Sequence, residues 1–214
     1  MKFQSILETE REREGGYTPL VLTQINDANN NRVEVIIPEV GDEAIDFALP
    51  NEDGSRVCLS ELLKTGPVIL NFFRGNFCEF CQLEMKAMHR SNNEFKRYNA
   101  TLVGIAPAFV SIDSLGAKDS ADYTYSILSD VGNKVAASYG LRYKVSEELE
   151  NMFIAMGLEL NNAFGESDEN TLSIPATFVI NTDRKIIFKF ADTDYTKRAE
   201  PADIIASLIS ISKP

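Results

Sequence analysis

The chain has 214 residues, 44% of them hydrophobic and 25% charged, which is typical of an ordinary globular protein. A formal charge of −11 argues against nucleic acid or an anionic membrane as the main partner. The first residues are charged where a secretory signal would need an apolar run, and no stretch is long and apolar enough to span a membrane. We therefore expect a cytoplasmic protein.

Residues 1–40 are predicted to form an N-terminal extension, followed by one domain over residues 41–214. Phe3, Ile6 and Leu7 indicate a short helix that Gly15 and Gly16 would end. The apolar run at 33–37 predicts a strand. We expect this extension to serve in packing or in a dimer contact, and a homodimer is left open.

The remainder alternates strands with helices. A hairpin is predicted at 46–49 and 56–59, and a short helix follows from Ser60. Further strands are predicted at 68–73, 101–106, 126–128, 176–180 and 186–190. Helices are predicted from Phe80, at 110–117, at 131–139, at 146–164 and from Glu200. This order predicts an α/β sandwich about a mixed sheet.

Cys78 and Cys81 stand where a buried strand leads into a helix, which indicates a dithiol redox site. Cys78 at the helix N-terminus would be favoured as a thiolate, and Cys81 comes round to the same side of the first turn. The alternative is a zinc site that adds Cys58 and His89. It is disfavoured because eight helical residues separate Cys81 from His89 by roughly 12 Å. Cys58 is expected to be a small buried hydrophobe.

Several stretches together resemble a known family. They read GDEAIDFALPNEDG, VCLSELL, GPVILNFFRGNFCEFC, YSILSDVGNKVAASYGL and SIPATFVI, and DYTKRAEP near Asp194 fits them too. From about Gly41 onwards the chain is similar to the alkyl hydroperoxide reductase and thiol-specific antioxidant family, and most of all to its peroxiredoxin-like members. The resemblance implies a thioredoxin-like three-layer α/β/α sandwich around a mixed central sheet. It also implies thiol chemistry that needs no metal or organic cofactor.

The motif departs from typical peroxiredoxins at three positions. Those enzymes have Pro-x-x-x-Thr-x-x-Cys, whereas Asn71 and Gly75 occupy the Pro and Thr places here. Pro175 stands where their Arg would precede a strand. The resemblance to thioredoxins implies that Pro175 is cis and faces the cysteines. Such a bond would leave the Ile174 backbone free to pair with an extended substrate.

Two charged residues flank the cysteine pair. Arg74 is expected either to stabilise a thiolate or bind an anion, or to form a surface salt bridge, and both readings stay open. Glu79 is expected to raise the pKa of Cys78, because its carboxylate competes for the same favourable field at the helix N-terminus. Asp192 and Asp194 are interpreted as solvated loop carboxylates rather than metal ligands.

The resulting hypothesis is a thiol-dependent antioxidant oxidoreductase. The Cys78 thiolate would attack a hydroperoxide or a disulfide, and Cys81 would resolve the product. A thioredoxin- or glutathione-type thiol would then reduce the pair. The alternatives are a disulfide oxidoreductase without real peroxidase activity and a non-enzymatic redox-sensing binding module.

Overall fold

A computed structural model gives the structure of residues 2–33, 36–107, 125–158 and 170–212. The helices in these ranges are α1 Phe3–Arg13, α2 Pro19–Asn30, α3 Leu59–Leu62, α4 Glu79–Lys96, α5 Lys134–Ser138, α6 Glu147–Ala155 and α7 Pro201–Ser212. The strands are β1 Ala48–Pro50, β2 Arg56–Cys58, β3 Val68–Phe72, β4 Thr101–Ala106, β5 Ser126–Ser129, β6 Arg142–Lys144, β7 Thr171–Ser173, β8 Ala176–Ile180 and β9 Ile186–Ala191. No helix in the described ranges is long and apolar enough to cross a membrane.

The central sheet has five strands in the order β5-β4-β3-β8-β9. β3, β4 and β5 run parallel, while β8 is antiparallel to both β3 and β9. β1 pairs with β2 and β6 with β7 in two small antiparallel ladders. The predicted mixed sheet is therefore confirmed.

Alternate residues of β3 enter two separate apolar clusters, because successive side chains of a strand point to opposite faces. Val68 and Leu70 belong to the cluster that α3, α5 and α6 cover. Ile69 belongs to the cluster that α1, α4 and α7 cover, and both Cys78 and Cys81 lie in this second cluster. The sheet is thus covered by helices on both faces, which confirms the three-layer α/β/α sandwich.

Several boundaries differ from the sequence predictions. The helix predicted at 146–164 ends at Ala155, and Gly157 follows with a φ of +80° that favours glycine; residues 159–164 lie outside the described ranges. The helix predicted at 131–139 begins only at Lys134, because the Asp130 carboxylate accepts hydrogen bonds from the N–H groups of its first turn.

The strand predicted at 33–37 is not found at its described residues 33, 36 and 37, and residues 34–35 lie outside the description. The helix predicted at 110–117 is likewise outside it. The sequence prediction also missed α2, β6 and β7.

The N-terminal segment packs against the same molecule at several points. The N–H groups of Phe3 and Gln4 donate to the Glu200 carboxylate over 3.0 and 2.6 Å, which caps the start of α1. The Tyr17 hydroxyl donates to Asp194 over 2.8 Å. The expected packing role for this segment is therefore observed, and it brings α1 and α2 up to the cysteine pair.

Candidate active site

Cys78 and Cys81 lie at the start of α4, directly after the turn that leaves β3. Cys78 is the N-cap residue of α4, and its carbonyl accepts the N–H groups of Cys81 and Gln82 over 3.0 and 3.1 Å. Both thiols are free and buried, with Cys78 4% and Cys81 0% exposed. The small remaining exposure belongs to Cys78, so an incoming reactant meets Cys78 first.

The backbone conformation at position 75 explains why a glycine, and not a residue with a hydroxyl side chain, precedes Cys78 in this turn. Its φ is +124°, a backbone conformation that residues with a Cβ rarely adopt. Its carbonyl accepts the Cys78 N–H over 3.3 Å. The backbone route to Cys78 therefore favours glycine over the Thr or Ser that typical peroxiredoxins have at this place.

Arg198 contacts both sulfurs from the segment before α7. Its Nη2 lies 3.1 Å from the Cys81 Sγ and 4.0 Å from the Cys78 Sγ. Its Nε donates to the Glu84 carboxylate over 2.8 Å, and both side chains of this ion pair are 1% exposed. A buried charge pair is stable only when well hydrogen-bonded, and the carbonyls of Tyr195 and Lys197 accept from the remaining Nη1.

Arg74 is buried beside the pair rather than placed on the surface. It is 1% exposed, and its guanidinium carbon lies 4.3 Å from the centroid of the Tyr195 ring and 5.3 Å from that of Phe77. Its Nη2 donates to the side-chain Oε1 of Gln24, whereas its Nε has no hydrogen-bond partner in the described ranges. The surface salt bridge considered from the sequence is therefore wrong.

These cations set the acidity of the two thiols in opposite directions. Burial alone would raise the pKa of Cys78, but the hydrogen bond from Cys81 and the charges of Arg74 and Arg198 outweigh it and lower the pKa to about 5. Burial and the neighbouring Cys78 raise the pKa of Cys81 well above its ordinary value. Burial, partly offset by Arg198, raises the pKa of Glu84 to about 7. At neutral pH the site thus holds one thiolate and one thiol.

A pocket of about 440 Å³ opens onto Cys78. Arg74 and Gln24 lie on its polar side, and Glu14 and Glu79 also line it. The apolar lining consists of Leu20, Phe77, Phe80, Phe153, Met156 and Leu158. This combination of apolar walls with a few polar groups is the usual form of a small-molecule site.

Glu79 belongs to a carboxylate group outside the cysteine pair. Carboxylate oxygens of Glu10, Glu14 and Glu79 all lie within 4.8 Å of one another. Arg13 Nη2 lies 2.8 Å from Glu79 and also pairs with Glu10. Partial burial and the neighbouring carboxylates raise the pKa of Glu14 to about 7. The effect of Glu79 on Cys78 stays a prediction, and Arg13 is the cation that faces it.

The prediction for Pro175 and Ile174 is wrong. The Ile174–Pro175 bond is trans, and neither residue lines the pocket. The Ile174 N–H donates to the Leu141 carbonyl over 2.8 Å, and the Ile174 carbonyl accepts the Ser173 hydroxyl over 3.1 Å. Its backbone is already paired within the fold, so it is not free to receive an extended substrate.

Two further sequence interpretations need correction. Cys58 is half-buried rather than buried. Within the described ranges, Cys58 and His89 do not come together with the cysteine pair as metal ligands would, so the zinc alternative lacks its four ligands. Asp194 is not solvated: it is buried and accepts hydrogen bonds from Tyr17 and Thr196.

Sequence reasoning missed Arg198, Glu84, Gln24 and Tyr195. Glu84 left a signal, because it follows Cys81 by three residues on the apolar face of α4, where an ionised side chain needs a buried partner. Arg198 and Tyr195 lie in the DYTKRAEP stretch that carried part of the family resemblance. Gln24 left none, since its contact with Arg74 spans 50 residues.

The family of the chain follows from this fold and site together with sequence comparison. The model of the AhpC/TSA family matches residues 40–189, and the chain belongs to that family. It is an oxidoreductase of the peroxiredoxin type with a thioredoxin fold.

Individual relatives agree with this assignment. The chain is 28% identical over 173 residues to a putative peroxiredoxin of Mycobacterium tuberculosis, covering 81% of this chain and 97% of that protein. It is 27% identical over 106 residues to the thiol-disulfide oxidoreductase ResA of Halalkalibacterium halodurans, covering 50% of this chain and 59% of that one. The crystal structure of peroxidoxin BcpB from Mycobacterium tuberculosis superposes with a TM-score of 0.59 at 27% identity, over 82% of this chain and 99% of that chain.

Proposed function

We propose that this protein reduces hydroperoxides with Cys78 as the nucleophile and Cys81 as the resolving thiol. One observation carries the proposal: the sulfur that lines the pocket is the buried Cys78, whose pKa is lowered by the charges of Arg74 and Arg198. A thiolate rather than a thiol attacks peroxide oxygen, so a Cys78 pKa of about 5 keeps the protein reactive at neutral pH.

The chemistry proceeds in two steps before reduction. The Cys78 thiolate attacks one oxygen of ROOH, the O–O bond breaks, and RO⁻ leaves and takes a proton to become ROH, while Cys78 becomes a sulfenic acid. The Cys81 sulfur then attacks the Cys78 sulfur and releases water as the disulfide forms. Arg198 lies close enough to both sulfurs to stabilise negative charge on either of them during these steps. An external dithiol or two thiols return the pair to its reduced form.

A second candidate is disulfide exchange, in which Cys78 attacks a substrate disulfide instead of a peroxide. Gly75 favours it, because no hydroxyl is present there to orient a peroxide, and the similarity to ResA supports it. The trans Pro175 away from the pocket removes the other feature that favoured it. We therefore place peroxide reduction first.

Free cysteines suit a reducing compartment, and the cytoplasm is the proposed location.

The test is stopped-flow reaction of the reduced protein with hydrogen peroxide, an organic hydroperoxide and a protein disulfide. We expect the hydroperoxides to react faster, with loss of two thiols and a Cys78–Cys81 bridge while Cys58 stays reduced. Cys78→Ser should abolish the reaction, and Cys81→Ser should accumulate sulfenic acid on Cys78. A faster reaction with the disulfide would establish the second candidate, and a bridge to Cys58 would overturn the assignment of Cys81.

A further inference from the structure

The pocket in front of Cys78 has charges of opposite sign at its two ends. Arg74 lines the pocket together with Cys78 and is almost fully buried. Arg198 is outside the pocket lining, but it is equally buried and its Nη2 lies 4.0 Å from the Cys78 sulfur. We call Cys78 with these two guanidinium groups the inner end of the pocket. Glu14 and Glu79 line the pocket as well, but they are exposed. We call these two carboxylates, together with the adjoining Glu10 and Arg13, the acidic rim. The rest of the lining is largely apolar, and low-dielectric walls screen the charges weakly.

The charge of the inner end changes with the redox state. In the reduced protein above pH 7, where Glu84 is ionised, the Cys78 thiolate and the Glu84 carboxylate balance the two positive charges of Arg74 and Arg198. Closing a disulfide removes the thiolate charge and leaves one excess positive charge buried at Cys78. The oxidised site therefore attracts an incoming thiolate sulfur.

The acidic rim acts on the rest of the incoming molecule. Three carboxylates lie there within 4.8 Å of one another, and Arg13 is the cation paired with them. The next guanidinium, that of Arg11, is turned to the Tyr17 ring, and Lys197 pairs with Asp192. The rim thus keeps a net negative charge, which repels a second anionic group on a bound thiol and attracts a cationic one.

We propose that the oxidised protein is reduced preferentially by a small thiol that carries an ammonium group close to its sulfur. The thiolate faces Arg74 and Arg198, and the ammonium faces Glu14 and Glu79. A small thiol fits because Cys78 is 4% exposed at the inner end of a pocket of about 440 Å³, so the reducing sulfur has to enter it. This proposal rests on the proposed function, since it needs a Cys78–Cys81 disulfide.

The reduction balances with two equivalents of the thiol. The first RS⁻ attacks the Cys78 sulfur, the bond to Cys81 breaks, and the Cys81 thiolate leaves and takes up a proton. A second RS⁻ attacks the outer sulfur of the mixed disulfide. RSSR departs, and Cys78 is released as a thiolate beside Arg74 and Arg198.

The experiment compares three thiols of similar size: cysteamine is cationic, mercaptoethanol neutral and mercaptopropionate anionic. Each reduces the oxidised protein at low salt, and each rate is divided by the rate of the same thiolate with a small uncharged disulfide. We expect cysteamine to exceed mercaptopropionate by about tenfold, because the rim attracts the cationic thiol and repels the anionic one. Tenfold corresponds to about 1.4 kcal/mol between the two thiols. High salt should shrink this ratio towards one.

Three variants assign the effect to the rim. Glu14→Gln combined with Glu79→Gln should reduce the cysteamine-to-mercaptopropionate ratio by at least threefold, and Arg13→Gln should increase it. The matched control is Glu43→Gln with Glu61→Gln, which removes the same charge from carboxylates paired with Arg184 and Lys64 elsewhere. That control should keep the wild-type ratio.

The outcomes separate the proposals. Equal normalised rates in the wild type, or a ratio that survives in the Glu14/Glu79 variant, would overturn the cationic-thiol proposal and leave the proposed function intact. If a peptide thiol flanked by lysines shows the advantage and cysteamine does not, the reductant is a protein and the small-thiol assignment is wrong. Failure of any peroxide or disulfide to oxidise the Cys78–Cys81 pair would instead remove the proposed function.

Discussion

At the scale of single residues, Arg198 contacts both cysteines of the site and a buried carboxylate. Its Nη2 lies near the sulfurs of Cys81 and Cys78, and its Nε donates to the carboxylate of Glu84. A planar guanidinium can hold such partners at once, whereas the ammonium group of a lysine is a single point charge. Arg198 therefore links the acidity of the thiols to a buried carboxylate.

Replacing Arg198 should make Cys78 less acidic. In Arg198→Met the favourable charge on the thiolate is lost, so the pKa of Cys78 rises, and each unit of increase lowers its thiolate fraction about tenfold below the pKa. The measurement is the rate of Cys78 alkylation against pH. Arg198→Lys should recover part of the loss.

A structural control is needed, because Arg198→Met leaves Glu84 buried without its partner, which costs several kcal/mol. Combining it with Glu84→Gln removes that unpaired charge. If the folded double variant still titrates Cys78 near 5, Arg198 does not stabilise the thiolate, and Arg74 with the helix N-terminus suffices.

At the scale of secondary-structure elements, α2 contributes to the site from outside the matched family segment, which begins at residue 40. Its Gln24 is 3% exposed, accepts a hydrogen bond from Arg74 and donates one to the Tyr195 hydroxyl over 3.1 Å. Gln24 is thus a positioning residue: it fixes the guanidinium that faces Cys78 without touching either sulfur.

Gln24→Leu should lower kcat/KM for peroxide by roughly tenfold, because a hydrogen bond to a charged group contributes about 1.5–3 kcal/mol. The pKa of Cys78 should rise with it, since a displaced Arg74 stabilises the thiolate less. Asn29→Ala, an exposed change on the same helix, is the control and should behave as wild type. An unchanged Cys78 pKa together with an unchanged kcat/KM would show that Arg74 keeps its place without α2.

The sequence predicted those elements whose signal is local and repeated. β3, β4 and β8 are mostly apolar runs, and Cys78 and Cys81 are three residues apart at the start of one helix, so each could be predicted from its own neighbourhood. β6 and β7 have three residues each, too few to show a period. α2 carried a readable start, since Thr18 accepts from the Val21 N–H and Pro19 opens the helix.

The rest of the site depends on tertiary contacts. Arg198 and Cys81 are 117 residues apart, and only packing of the segment before α7 against α4 brings them together. The same holds for Gln24 and Arg74. The wrong prediction for Pro175 came from the resemblance of the local motif to that of thioredoxins. In this protein Ile174 lies in the apolar cluster that does not contain the cysteines.

At the scale of the whole molecule, the buried thiolate makes folding stability depend on pH. The pKa of Cys78 is about 5 when folded and 9.0 as an ordinary thiol, so between these values the unfolded chain binds one proton more. The lowered pKa of Cys78 therefore contributes its full stabilisation of the folded state above pH 9 and none below pH 5. The contribution of Cys78 to the free energy of unfolding of the reduced protein should therefore rise across this window, by at most about 1.4 kcal/mol per pH unit.

Cys78→Ser isolates this contribution. Glu84 opposes it, because a carboxyl group with a raised pKa of about 7 loses stabilisation as the pH increases through that value. The difference between wild type and Cys78→Ser, measured by urea unfolding under reducing conditions, should nevertheless grow with pH from 5 to 9. A difference that is flat over this range would mean that Cys78 is protonated in the folded protein.

The unequal acidity of the two cysteines also fixes the proton stoichiometry of the redox couple. An ordinary dithiol releases two protons with its two electrons, so its midpoint potential falls by about 59 mV per pH unit. Above pH 7, where Cys78 and Glu84 are already ionised, only the Cys81 proton remains to be released. The Nernst slope of this pair is then about 30 mV per pH unit. The peroxide couple takes up two protons with its two electrons, so the driving force for its reduction by an ordinary dithiol does not change with pH. With this pair the driving force instead falls by about 30 mV for each unit that the pH rises.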